Sequence, residues 1–201
     1  MKANVGMLYV VAAPISAYTP GSAPTYGTGF VVGEGREANV SWETASGEFI
    51  GDDIILDDYE EVIGYTMDME TAGLADATRV KLLGETKDSS DVYTVGGGPK
   101  PWLGQGFVRK MRDDSSGTPT TVFEAVWYYR LRYSQPNEQT RTKERTGIEW
   151  RVPTMNAKGL GVFTSANAEY PDFEIHKDFT SLAAAKSYLN GLANISSTST
   201  T

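Results

Sequence analysis

Residues 121–152 constrain the fold more than any other stretch of this chain. Their odd positions Phe123, Ala125, Trp127, Tyr129, Leu131 and Tyr133 form an almost unbroken apolar and aromatic row, while the even positions include Glu124, Arg130 and Arg132. Alternation with a period of two marks a half-buried strand, because successive side chains leave opposite sides of a sheet. Ser134-Gln135-Pro136-Asn137 supplies turn chemistry, since Pro fixes φ and Asn tolerates turn geometry. Beyond the turn, Ile148, Trp150 and Val152 return to the apolar side, and Arg141, Lys143, Arg145 and Arg151 take the other. The expected structure is a long hairpin with an aromatic core face and a basic outer face, a surface for scaffold and contact.

The remaining pattern is strand-rich. Residues 5–11 read as a strand, and the Pro/Gly/Ser/Thr-rich stretch 14–29 as a loop or extended arm. Strand character resumes over 30–42, where Ala38, Val40 and Trp42 alternate with Glu37, Asn39 and Ser41. Residues 49–56 read as a protruding hairpin or long loop. In 59–71, Ile63, Tyr65, Met67 and Met69 face one way and Thr66, Asp68 and Glu70 the other, so the methionines belong to the core. Residues 74–83 predict a short helix closed by Gly84. Strands are expected at 93–95, 104–111 and 160–164. Thr180 is placed to cap a last helix whose apolar face is Leu182, Ala185, Leu189 and Leu192. A single mainly β domain, sandwich or barrel-like, over 1–194, with a short flanking helix, a C-terminal helix and a flexible Ser/Thr tail at 195–201, accounts for the whole pattern.

Composition narrows the chemistry. The 201 residues include no cysteine and one histidine, His176. Disulfides, thiol chemistry and multi-histidine metal sites are thereby excluded, and a Ser-His-Asp triad has little to draw on. The longest apolar run, 7–14, is far short of the roughly 20 residues that span a bilayer, and a first strand explains it better than a signal peptide does. Gly33-Glu34-Gly35 lacks the third glycine and the helix of a dinucleotide loop. Asp52-Asp53 and Asp57-Asp58 lack the spacing of a calcium loop, and adjacent strand residues face opposite ways. No catalytic residue, cofactor or metal is assigned.

Charge is distributed unevenly. The net charge is −8, and residues 43–61 hold eight acids (Glu43, Glu48, Asp52, Asp53, Asp57, Asp58, Glu60 and Glu61) with no Lys or Arg. The other 18 acids balance all 18 bases. Residues 130–151 hold six bases against three acids. A polyanion would be repelled by the net charge, so the basic face is not read as a nucleic-acid site. The acidic segment is expected either to pack on the basic face of a neighbouring copy or to face a lumen. The contact or lumen candidates are Asp52, Asp53, Asp57, Asp58, Arg130, Arg132, Arg141, Lys143 and Arg145.

Three stretches together resemble the major tail, or tail tube, proteins of long-tailed bacteriophages. They are 38–61, a strand leading into an acidic segment; 65–84, a strand followed by a helix ending Lys81-Leu82-Leu83-Gly84; and 123–154, closing Ile148-Glu149-Trp150-Arg151-Val152-Pro153-Thr154. The resemblance implies a structural virion protein, not an enzyme, that assembles in the host cytoplasm into stacked hexameric rings forming a hollow tube. Its implied partners are other copies of itself, a tape measure protein and tail terminator or distal tail proteins. DNA would cross the lumen without specific binding, and no membrane is involved. An inner tube protein of a contractile tail or injection apparatus shares this pattern, and a non-catalytic β-sandwich binding module is the reading from a different class. Reversing Asp52, Asp53, Asp57 and Asp58 to Lys is expected to block polymerisation or alter its salt dependence. Normal assembly of that variant at low and high salt, viewed by electron microscopy, excludes the contact role; slowed DNA ejection through intact tubes indicates the lumen role.

Overall fold

The computed structural model describes residues 2–51, 54–96, 99–115, 117–136 and 154–196, with backbone alone at 49–51 and 54–58. The elements are β1 (Lys2–Ala17), β2 (Thr25–Tyr26), β3 (Phe30–Gly33), β4 (Gly35–Gly51), β5 (Ile54–Thr71), α1 (Asp76–Leu83), β6 (Thr86–Lys87), β7 (Tyr93–Thr94), β8 (Leu103–Asp113), β9 (Thr120–Tyr133), β10 (Thr154–Gly159), β11 (Glu174–Phe179) and α2 (Leu182–Leu192). The fold is mainly β with two helices, as the alternation requires. Antiparallel pairing runs β2-β1-β8-β9-β10-β5-β4, with β3 added to β1 and β11 to β9. Because β3 pairs with β1 and runs through Glu34 directly into β4, the chain itself links the far end of this sheet back to β1. The result is a barrel-like wall.

Seven of these strands, β1, β3, β4, β5, β8, β9 and β10, contribute to one interior. Met7, Val10, Ala12, Val32, Ala38, Val40, Tyr65, Met67, Met69, Leu103, Phe107, Val126, Tyr128, Leu131, Tyr133, Met155 and Ala157 pack there, and Leu74, Leu82 and Leu83 from around α1 join them. Gly84 ends α1 at φ 70°, and its N–H bonds Val80 O at 3.1 Å; glycine takes this left-handed cap without steric cost. A second cluster lies outside the wall, where Ala185, Leu189 and Ala193 of the α2 region meet Val11, Ala13, Val108, Ala125 and Trp127. Ser181, not Thr180, caps α2, its Oγ accepting from the Ala184 N–H at 3.3 Å. Ile195, the first residue of the expected tail, belongs to this cluster as well.

Three bulges re-aim side chains. At Tyr9 (φ 47°) the register of β1 shifts, and Leu8 and Tyr9 both turn toward α2. The Tyr9 hydroxyl donates to Asn190 Oδ1 at 2.6 Å. On β5 two steps lead from Gly64 to Val62, past Ile63, where β4 advances by one, from Glu43 to Thr44. That extra residue breaks the expected row, so Ile63 is 52% exposed while Tyr65, Met67 and Met69 are buried. On β9 three steps from Tyr128 to Leu131 oppose two on β8, from Gln105 to Leu103. A bulge inserts one residue and swaps the faces beyond it.

Other expectations are corrected by pairing. The stretch 14–29 is partly strand, because β1 runs to Ala17 and β2 folds back on it. The strand expected at 160–164 lies earlier, at β10, and Val162 makes only an isolated bridge to Asp172. The hairpin partner expected for β9 is replaced. Both edges of β9 are occupied, one by β8, the other by β11 at 123–128 and by β10 at 131–133. Ile148, Trp150 and Val152 lie outside the described residues. Glu-Ile-His-Lys-Asp-Phe of β11 carries too little apolar alternation to announce a strand.

Glycine marks the closest packing. A Cβ on Gly159 would stand 1.9 Å from Tyr65 Cζ, whereas a Cβ on Gly191 in α2 meets nothing within 4 Å. Gly159→Ala is expected to cost about 1–3 kcal/mol through overpacking. Gly191→Ala should instead stabilise by about 0.5–1 kcal/mol through helix propensity. Urea denaturation at constant m-value checks both signs.

Candidate functional site

Catalytic raw material is sparse. Among the described residues no group of three or more His, Cys, Asp and Glu is placed to hold a metal ion, and no helix is long and apolar enough to cross a membrane. His176 is exposed on β11. The buried phenols of Tyr65, Tyr128 and Tyr133 are held above the ordinary tyrosine range, chiefly by desolvation. They stay neutral and pack. Inside the wall Tyr133 donates to Gln105 Oε1, and Gln105 Nε2 contacts Met69 Sδ at 2.8 Å.

One buried carboxylate fastens the chain. The Glu85 side chain is 2% exposed and receives Arg79 Nη2 and Gln135 Nε2, each at 3.0 Å. It joins α1 to the segment leaving β9. Burial alone would raise its pKa, but the hydrogen bonds from Arg79 and Gln135 and the Arg79 charge outweigh burial and hold it below the ordinary value.

The β9 bulge decides what the candidate arginines do. Val126 and Tyr128 point into the barrel, and without the extra residue Arg130 and Arg132 would follow them. Instead Leu131 and Tyr133 take the interior, and the arginines emerge outside. There the Arg130 guanidinium lies 4.4 Å from the Trp102 ring centroid and 5.2 Å from that of Tyr18, and Arg132 lies 4.7 Å from Trp102. Neither guanidinium pairs with a carboxylate among the described residues. Trp102 went unnoticed in the sequence because its neighbours are Pro101 and Leu103, not a basic run. Arg141, Lys143 and Arg145 lie outside the described residues.

The acidic segment lies on the β4–β5 hairpin. Pairing continues from Gly35 opposite Thr71 to Gly51 opposite Ile54, but β10 covers β5 only over 65–70. Outward from Glu43 and Gly64 the hairpin is therefore a two-stranded ribbon among the described residues. Eight residues at about 3.3 Å each make it about 26 Å long. The register sets Asp58 opposite Glu48 and Asp57 opposite Phe49, while Asp52 and Asp53 lie outside the described residues. The ribbon is rooted within the chain: Glu43 Oε2 pairs with Lys158 Nζ at 3.2 Å. So this first acid of the segment already has an internal partner.

Two surfaces flank the root. One is a groove of about 420 Å³ lined by Tyr59, Glu60, Glu61, Val62, Tyr170, Pro171 and Phe173. Trp42, Tyr59, Ile63 and Tyr170 around it are 46%, 55%, 52% and 56% exposed. The other is the polar outer face of β4, β5 and β10, where Asn39, Asp68 and Asn156 share one row and Ser41, Thr66 and Lys158 the next. Glu70 accepts from Thr154 Oγ1 at 3.1 Å beside them.

No protein-family model matches this chain, and no curated protein matches it.

Glu85→Gln should destabilise by about 1–3 kcal/mol at neutral pH, the range for hydrogen bonds to a charged group. Because the folded pKa is lowered, this contribution is present above the unfolded value of about 4.3 and disappears as pH falls through the folded value. Melting curves of both proteins should therefore differ near pH 7 and converge in acid, once the pH has fallen below the lowered folded value; a pH-independent difference refutes the assignment.

Proposed function

We propose that this chain is a self-assembling structural subunit of a phage tail tube, stacking as rings around a lumen through which DNA passes. The observation that carries the reading is the β4–β5 ribbon. A two-stranded arm whose edges carry no further strand among the described residues, with an exposed aromatic root, gains little stability alone and is a ready partner for another copy. Head-to-tail contacts of one patch with a different patch close into rings when the rotation closes. The polar outer face of β4, β5 and β10, carrying Glu37, Asp68 and Glu70, supports a lumen lining: phosphates bind clustered cations, and carboxylates keep DNA moving. Its sequence support is the resemblance over 38–61, 65–84 and 123–154. The inner tube of a contractile apparatus is the same proposal with a sheath outside it.

A non-catalytic binding module is the second reading, favoured by the exposed Trp42, Tyr59 and Tyr170, since exposed aromatic rings are the usual platform for sugars. Negative-stain microscopy and light scattering of the purified protein separate the two. The tube reading expects rings or hollow tubes at high concentration. Monomers at all concentrations that bind immobilised glycans, with binding lost in Tyr59→Ala, would replace it by the module reading.

A further inference from the structure

We infer that the Arg130–Trp102–Arg132 stack is the receptor for the acidic ribbon of a second copy of this chain, engaging Glu48 and Glu60. The inference rests on the self-assembly reading and names the contact that reading lacks.

Three observations point to it. The first is unspent charge. Among the described residues Lys2, Arg79, Lys87, Arg109, Arg112 and Lys158 have carboxylate partners, whereas Arg130 and Arg132, like Lys81, Lys177 and Lys186, meet aromatic rings instead, and of these only Arg130 and Arg132 share one ring, that of Trp102. Stacking on Trp102 removes much of the rotamer freedom that a carboxylate contact would otherwise cost, while leaving the N–H fork edges free. The pair is organised before its anion arrives.

The second is spacing. Arg130 and Arg132 are two residues apart on one side of β9, about 7 Å. On the ribbon Ser46 stands opposite Glu60 and Glu48 opposite Asp58. Glu48 and Glu60 are thus diagonal neighbours on one side, a separation of about 7–8 Å. Two guanidiniums and two carboxylates share one repeat.

The third is reach. Thr66, Lys158 and Arg132 stand in one register row. Glu60 lies six residues farther along β5, about 20 Å of extended strand. That exceeds the screening length of about 8 Å at physiological salt, and the paired ribbon holds the distance. The carboxylates of one copy therefore serve the arginines of another. A receptor and a ribbon on different parts of the surface make a head-to-tail contact, the kind that propagates.

The test uses the full chain, with association followed by light scattering and sedimentation at about 50 mM and about 500 mM salt. Arg132 is exposed, so Arg132→Glu should fold; circular dichroism and melting verify it. At low salt this variant, and separately Glu48→Arg/Glu60→Arg, should each raise the concentration needed for association roughly 10-fold, within the range of close interfacial charge pairs. A chain carrying Arg130→Glu, Arg132→Glu, Glu48→Arg and Glu60→Arg together should recover to within about threefold of wild type. Wild-type association should weaken with salt. Folded Arg132→Glu that associates like wild type, or a swapped chain no better than its components, overturns the contact while leaving self-assembly standing. Wild-type protein that is monomeric throughout overturns both. If Arg132→Glu instead loses retention of a labelled single-stranded DNA with association unchanged, the stack is a nucleic-acid contact and the inference is wrong.

Discussion

Between Ala125 and Tyr128 the β9 strand has solvent on neither face. Val126 and Tyr128 fill the barrel interior, while Ala125 and Trp127 lie under α2. Four consecutive residues, two of them aromatic, are thus fully buried, and a large apolar area leaves water there. Its neighbours are arranged to permit it. Gly106 on β8 has no room for a Cβ, which would stand 2.7 Å from Leu189 and from the Val126 carbonyl. The Trp127 indole N–H reaches Tyr26 Oη at 3.2 Å, and Tyr26 in turn donates to the Tyr129 carbonyl at 2.8 Å. The polar atoms of these rings are satisfied without opening the core to water.

A strand buried on both sides cannot also present charge, and the bulge beyond Tyr128 resolves the conflict. One extra residue exchanges inside for outside, so that Arg130 and Arg132 leave the core and Leu131 and Tyr133 enter it. The same device at Gly64 separates the barrel part of β5, with Tyr65, Met67 and Met69 inward, from the ribbon, where Ile63 is exposed. The bulges therefore draw the boundary between the wall and the surfaces proposed for assembly. Packing inside and contact outside are set by the register of two strands.

Much of this was legible. The apolar rows of β5, the Leu182, Ala185, Leu189 face of α2 and the Gly84 stop of α1 follow from local periodicity and backbone preference, which act over a few residues. The residues of the arginine stack were partly legible, because Arg130 and Arg132 stood out by charge, but Trp102 did not. Nor did the aromatic groove, whose Tyr59 and Tyr170 are more than a hundred residues apart and meet only through the path of the chain.

By itself, the amino-acid order determined that this chain is a strand-rich protein with an aromatic core, no thiol chemistry and its net charge concentrated in 43–61. Those are properties of composition and of periods two and 3.6, and they need no long-range information. The tertiary structure alone decided that β10 and β11 pair with β9, that both faces of its centre are buried, and that Glu48 and Glu60 ride on a ribbon away from Arg130 and Arg132. Strand pairing is non-local, and a single inserted residue inverts every side chain after it; alternation along the sequence carries no record of which partner supplies the missing step.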